Sequence, residues 1–194
     1  MSGAHGHGHM EGENKKIALL IAVLALFLAL AETMAKGAQT SALSHNVEAS
    51  NLWAFFQAKT IRQTAVKTAV ETLELERAQA ANPETAQAMA KQIETWTQTV
   101  ARWESEPGEN GKPGEGRKEL SARAKAEADK RDTAMAKYHH YEVSSAAFQI
   151  AIVLASATVI TGAMALMWIS IGLGVVGVIF AGIGLFAPHA VHLF

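Results

Sequence analysis

The distribution of charge limits what this chain can fold into more than any other feature. Residues 17–31 run fifteen positions without Asp, Glu, Lys or Arg, and residues 146–186 run forty-one. A bilayer core about 30 Å thick is crossed by roughly 20 apolar helical residues. The first run makes one span with modest extension, and the second is long enough for two. Backbone polar groups cannot stay unpaired in lipid, so the second run must fold back as a helical hairpin. The pattern predicts an all-α membrane protein with three transmembrane helices, at 15–34, 142–160 and 163–187. A helical, coiled-coil extramembrane bundle is expected over 35–141, between the first and second spans.

Composition narrows the function classes. A formal net charge of −1 leaves no concentrated basic face for nucleic acid. There is no cysteine, which removes disulfides, thiolate metal sites and thiol nucleophiles. Lys15 and Lys16 ahead of the first run, with Ala29-Leu30-Ala31 at its end, also fit a signal peptide. The helical pattern continues through Thr33 and Met34, so the segment is expected to stay as an anchor.

Residues 1–14 hold Gly, Ser, His and acids with no apolar period and read as a disordered tail. From 35 to 81 the composition is helical, with Lys36-Gly37 as a candidate break. Asn82-Pro83-Glu84 forms a helix start: an N-cap, proline at the first position, an acid in the first turn. Ala86, Met89, Ile93, Trp96, Val100 and Trp103 then follow at alternating steps of three and four, the seam of a coiled coil. Prolines and glycines at 106–116 end that helix. The expected core pairs Trp96 and Trp103 with Leu52, Phe56, Val66, Val70 and Leu73. In the hairpin, Thr161-Gly162 is the best turn, and Pro188 closes the last helix.

Each span carries small residues at heptad spacing: Ala18, Ala22, Ala25 and Ala29 in the first; Ser144, Ala147, Ala151, Ala155, Thr158 and Gly162 in the second; Ala163, Ser170, Gly174, Gly177, Ala181 and Gly184, interrupted by Met167, in the third. In lipid, close approach through small residues supplies the packing between helices. These seams serve contacts within one subunit, and the glycine-rich third span is also a candidate contact with a neighbouring subunit.

Few residues invite chemistry. His5, His7 and His9 alternate with glycine and are weak metal candidates, with no carboxylate or thiolate to complete a set. His139 and His140 point about 100° apart on a helix. With Tyr138 and Tyr141 they fit an interfacial belt. Glu32 and Gln149 are the polar residues nearest the bilayer interior, where an ionisable group is a functional hypothesis by default, but Glu32 lies at the edge of its span, Gln149 about two turns into its own, and no continuing polar line joins them to a relay. No nucleotide loop, nucleophile elbow, H-E-x-x-H or paired-acid constellation occurs, so neither enzymatic activity nor a cofactor is expected.

The segment Asn46-Val47-Glu48-Ala49-Ser50-Asn51-Leu52-Trp53-Ala54-Phe55-Phe56-Gln57-Ala58-Lys59-Thr60-Ile61-Arg62 is similar to an N-E-A-S-x-x-W-x-x-[YF]-Q-A-K-[ST]-[IL]-[KR] signature. That signature belongs to a bacterial membrane family, domain of unknown function 4337, and Val47 interrupts its first residues. Phe148-Gln149-Ile150-Ala151-Ile152-Val153-Leu154-Ala155-Ser156 resembles the family's second span. The family often carries arginines in the hairpin turn, where this chain has Thr161-Gly162. The resemblance implies a bacterial cytoplasmic-membrane protein and brings no activity with it. In the signature, Trp53, Phe56 and the stem of Lys59 share a helical face, and Gln57, Lys59 and Arg62 can bond a neighbouring helix or subunit.

These residues lead to a homo-oligomeric inner-membrane scaffold whose partners are the bilayer and its own copies. A channel or transport component is the rival reading, and metal handling by the His tail a weaker one. Lys15-Lys16 favours a cytoplasmic N-terminus, which would put the middle region on the periplasmic side.

Overall fold

A computed structural model describes the backbone of residues 7–191, with side chains from Asn14 onward. Its described residues form four helices: α1 (His7–Ala78), α2 (Pro83–Glu104), α3 (Arg117–Thr161) and α4 (Met164–Phe186). The helices α1, α3 and α4 are long and apolar enough to cross a membrane, which suggests a multi-pass membrane protein. Helix α1 continues through Lys36-Gly37 without a break, since the Ala-, Leu-, Glu- and Lys-rich helix on both sides outweighs a single interior glycine there. Two compact units divide the chain, one from residues 1–43 with 131–194, the other from 44–130.

In the first unit, α1 and the second part of α3 pack with α4 around Leu24, Ala31, Phe148 and Ala151, with Leu20, Leu28, Ile152 and Leu173 against them. The Phe27 ring stacks on Phe148 with centroids 5.8 Å apart. The seams of α3 and α4 face inward except at the turn: Ser144, Ala147, Ala151, Ala155 and Thr158 are buried, as are Ser170, Gly174, Gly177 and Gly184, whereas Gly162 and Ala163 are exposed. At Gly177 a Cβ would lie 2.8 Å from the Phe148 ring, so only glycine lets these helices approach so closely. Leu24 of α1 comes equally near the missing Cβ of Gly174.

The small-residue seam expected on the first span is corrected here, because Ala18, Ala22, Ala25 and Ala29 all face outward. Helix α1 instead turns its large residues inward, Ile17, Leu20, Leu24 and Leu28 with Ala31. Close approach needs a small residue on only one side, and α4 supplies it. The hairpin turn falls at Gly162, whose φ of +71° is open to glycine at no steric cost.

In the second unit, Asn82 caps α2 by accepting a 2.9 Å hydrogen bond from the Glu84 amide, with Pro83 at the first helical position. The inward face of α2 is the seam expected: Ile93 buried, with Ala86, Met89, Trp96, Val100 and Trp103 half-buried. Its partners differ from the expectation. The core cluster joins Leu52 of α1 to Leu120 and Ala124 of α3, with Trp53 and Phe56 packed against it. Contact with α2 is recorded at Gln63, whose side chain donates to the Val100 carbonyl. The cause is the position of the loop. It brings Glu104, the end of α2, and Arg117, the start of α3, together beside Thr60 and Gln63. Helix α1 therefore meets α3 before Thr60 and α2 from Gln63 onward. Two successive antiparallel pairings replace the bundle expected.

Candidate functional site

The densest polar cluster sits where those pairings meet. Gln63 follows Leu52, Phe56 and Lys59 at heptad steps on the inward face of α1, and is buried. A polar side chain there needs partners. Arg117, the first residue of α3, supplies them. Its Nη1 donates to Gln63 Oε1 at 2.6 Å and to Glu104 Oε2 at 2.7 Å, and its Nε donates to Thr60 Oγ1 at 3.0 Å. The guanidinium carbon lies 4.9 Å from the centre of the Phe56 ring, within cation–π range. Gln63 Nε2 also donates to Glu104, closing a ring of contacts among three helices. The hydrogen bond from Gln63 and the charge of Arg117 hold the Glu104 carboxyl below the ordinary carboxylate range.

A second group fastens the Pro/Gly loop. Ser105 Oγ donates to Glu119 Oε1 at 2.6 Å, and the Glu106 amide donates to Glu119 Oε2 at 3.2 Å. The Ser105 bond leads in holding the Glu119 carboxyl below its usual value. Lys59 Nζ donates to the Glu115 carbonyl. Further along, Glu127 accepts from Lys130 and contacts His45 Nδ1, both at 2.7 Å. These partners, Lys130 first, lower the Glu127 pKa. Beside the loop, Glu48, Asn51, Phe55, Lys59, Pro113 and Arg123 line a groove of about 310 Å³.

The signature segment thus has two faces. Trp53, Phe56 and Lys59 turn inward and are half-buried, whereas Gln57 and Arg62 are exposed. Ala54, Phe55, Ala58 and Ile61 share their exposure. Trp96 and Trp103 are half-buried on the inner face of α2 and take no part in the Arg117 cluster. On α4, Ser170, Gly174, Gly177 and Gly184 are buried and Ala181 is half-buried, all within their own subunit. His5 lies outside the described residues, as do the side chains of His7 and His9. Among the described residues no group of three His, Cys, Asp or Glu side chains is placed to hold a metal.

In the first unit, Ser170 Oγ donates to the Ala151 carbonyl at 2.7 Å and Ser144 Oγ to the Gly177 carbonyl at 2.8 Å, tying α3 to α4. His140, fully buried, contacts the Pro188 carbonyl through Nε2 at 3.0 Å and packs over Gly184. Glu32 and Gln149 are both exposed and bonded to each other, Gln149 Nε2 donating to Glu32 Oε1 at 3.2 Å.

Sequence reasoning passed over Arg117, Gln63, Glu104, Glu119, His45, Glu127 and the burial of His140. One signal was available. Gln63 continues the 4-3 spacing of Leu52, Phe56 and Lys59, which marks it as inward and in want of a donor and an acceptor. Nothing local marks Arg117 as its partner, fifty-four residues away.

Comparison with known proteins agrees with the signature. The model of the family described as domain of unknown function, DUF4337, matches residues 13–187. No curated protein and no solved structure matches the chain. The chain belongs to the DUF4337 family.

Proposed function

We propose that this DUF4337 member is a homo-oligomeric scaffold or interaction protein of the bacterial cytoplasmic membrane, without catalytic activity. Its N-terminus lies in the cytoplasm and its second unit is extramembrane, on the periplasmic side. The basis for the orientation is Lys15-Lys16 beside the first span, since basic residues next to a span stay cytoplasmic. The region 36–137 between the spans holds fifteen of the seventeen Lys and Arg residues, but long loops translocate largely regardless of charge.

The outer face of α1 in the second unit carries this reading. Val47, Ala54, Ile61, Thr68 and Leu75 repeat every seven residues, with Asn51, Ala58, Ala65 and Thr72 between them, and all nine are exposed. None is charged, although Glu48, Arg62, Lys67, Glu71 and Glu74 lie among them. A water-facing helix with no neighbour to meet ordinarily scatters its charges over its whole outer face. An uncharged 3-4 seam is instead what a coiled-coil partner requires, with Asn51 able to set the register. Gln57 and Arg62 flank the seam and suit hydrogen bonds across it.

The deciding measurement is the mass of the protein in nanodiscs by native mass spectrometry. A defined oligomer is expected, and the double substitution Ala58→Asp with Ile61→Asp is expected to weaken it. A monomer overturns the reading. A ring of five or more subunits that passes ions in liposomes replaces the scaffold with a channel.

A further inference from the structure

Glu32 and Gln149 keep unused hydrogen-bonding groups on the outside of the membrane unit. The span hydroxyls are absorbed by their own unit: Thr33, Ser156, Thr158 and Thr161 fold back onto carbonyls four residues earlier, and Ser144 and Ser170 bond across the hairpin. The exposed pair Glu32 and Gln149 makes one bond, from Nε2 to Oε1. One Gln149 N–H, its Oε1 and the Glu32 Oε2 have no partner among the described residues.

The depth of the pair makes this costly. Gln149 lies twelve residues before Thr161, about 18 Å along α3 from the hairpin turn. On its other side, α4 continues nine residues beyond Gly177, which packs on Phe148, for about 13 Å more. That last stretch has no charge and exposes Val178, Ile179, Leu185 and Phe186. Lipid must reach that far to cover it, so Gln149 stands within the hydrocarbon, and Glu32 meets it there from two residues before the end of the first span. Ionisable groups at such depth almost always face a protein interior or a cavity. Here they face out.

We infer that Glu32 and Gln149 form a contact between two copies of this chain inside the bilayer. Two copies inserted the same way bring their pairs to the same depth, which an unrelated partner would have to match separately. The pair is also self-complementary about a two-fold axis along the membrane normal. The free Gln149 N–H of each copy donates to the free Glu32 Oε2 of the other, as an isologous contact requires. Ala29 and Ala25, exposed one and two turns before Glu32, leave room for the approach. The inference rests on the homo-oligomer reading and adds its surface within the membrane.

The test uses the absence of native cysteine. Single cysteines replace Ala146 and Val153, exposed one turn either side of Gln149, and Ile179, exposed on α4, in the otherwise unaltered chain. Membranes are then treated with a copper–phenanthroline oxidant. Disulfide-linked dimers are expected at 146 and 153 and not at 179. The double variant Glu32→Leu with Gln149→Leu is expected to stay in the bilayer and lose this cross-linking when combined with Val153→Cys. Cross-linking at 179 alone, or cross-linking at 153 that survives the double variant, overturns the inference while leaving an oligomer. A native mass equal to one chain overturns the homo-oligomer reading beneath it.

Discussion

Arg117 shows what one side chain does when it serves three helices. Its planar fork meets Gln63, Glu104 and Thr60 at once, and its flat face covers Phe56. Arg117→Ala leaves the buried Gln63 carbonyl without its donor and the Glu104 carboxylate with the Gln63 amide alone, and is expected to destabilise the second unit by about 1–3 kcal/mol. Arg117→Lys should recover only part of this, because an ammonium cannot reproduce the fork. Thermal melts of the detergent-solubilised protein, followed by tryptophan fluorescence, measure both. The carboxylates set a pH dependence of definite sign. Glu104, Glu119 and Glu127 titrate below the ordinary value when folded. Their stabilisation is therefore fully present above the unfolded carboxylate pKa of about 4.3 and is lost as pH falls through the lower folded values. The melting temperature should hold from pH 7 to 5 and drop below pH 4, and Glu104→Gln should shrink that drop. An unchanged acid limb in the variant would show that Glu104 is no contributor.

Within the membrane unit the decisive element is α4, whose glycines differ in what they meet. Gly177 touches the Phe148 ring, whereas nothing lies within 4 Å of the missing Cβ of Gly172. Gly177→Leu is expected to force α3 and α4 apart at a cost of about 1–3 kcal/mol, the ordinary penalty of overpacking. Gly172→Leu should be tolerated. Resistance to unfolding in graded SDS separates the two, and equal losses would mean that α4 packs by some other face. In the second unit α1 is covered along a single stripe, because α2 and α3 follow one another along it instead of flanking it. The remaining face is left for whatever the uncharged seam meets.

The arrangement as a whole makes a topological prediction. With Lys15-Lys16 inside, the Pro/Gly loop should lie outside the cytoplasm. Asn110→Cys, in a chain otherwise without cysteine, should react with a membrane-impermeant maleimide once the outer membrane is permeabilised. Protection until the cells are lysed would reverse the orientation. Removing residues 1–14 should leave the oligomer mass per subunit ratio unchanged, and a lost assembly would assign that segment a role in it.

The three apolar helices, the Asn82-Pro83 start, the Gly162 turn and the inner face of α2 were legible because each follows from local rules. Solvent selects charge-free runs for lipid, proline and glycine fix particular backbone angles, and a helical period points a stripe inward. Which stripe meets which is another matter. The seam on α1 looked like a packing face and is an outer one, because α4 had already supplied the small residues. Leu52 and Phe56 joined α3 rather than α2, because a loop twelve residues long set where the two helices meet α1. Arg117 found Gln63 only through that meeting. Sequence determined the elements and their apolar faces, since those depend on neighbours within a few turns. Tertiary structure alone decided the partners, since contact across tens of residues depends on where the connecting segments bring the helices together.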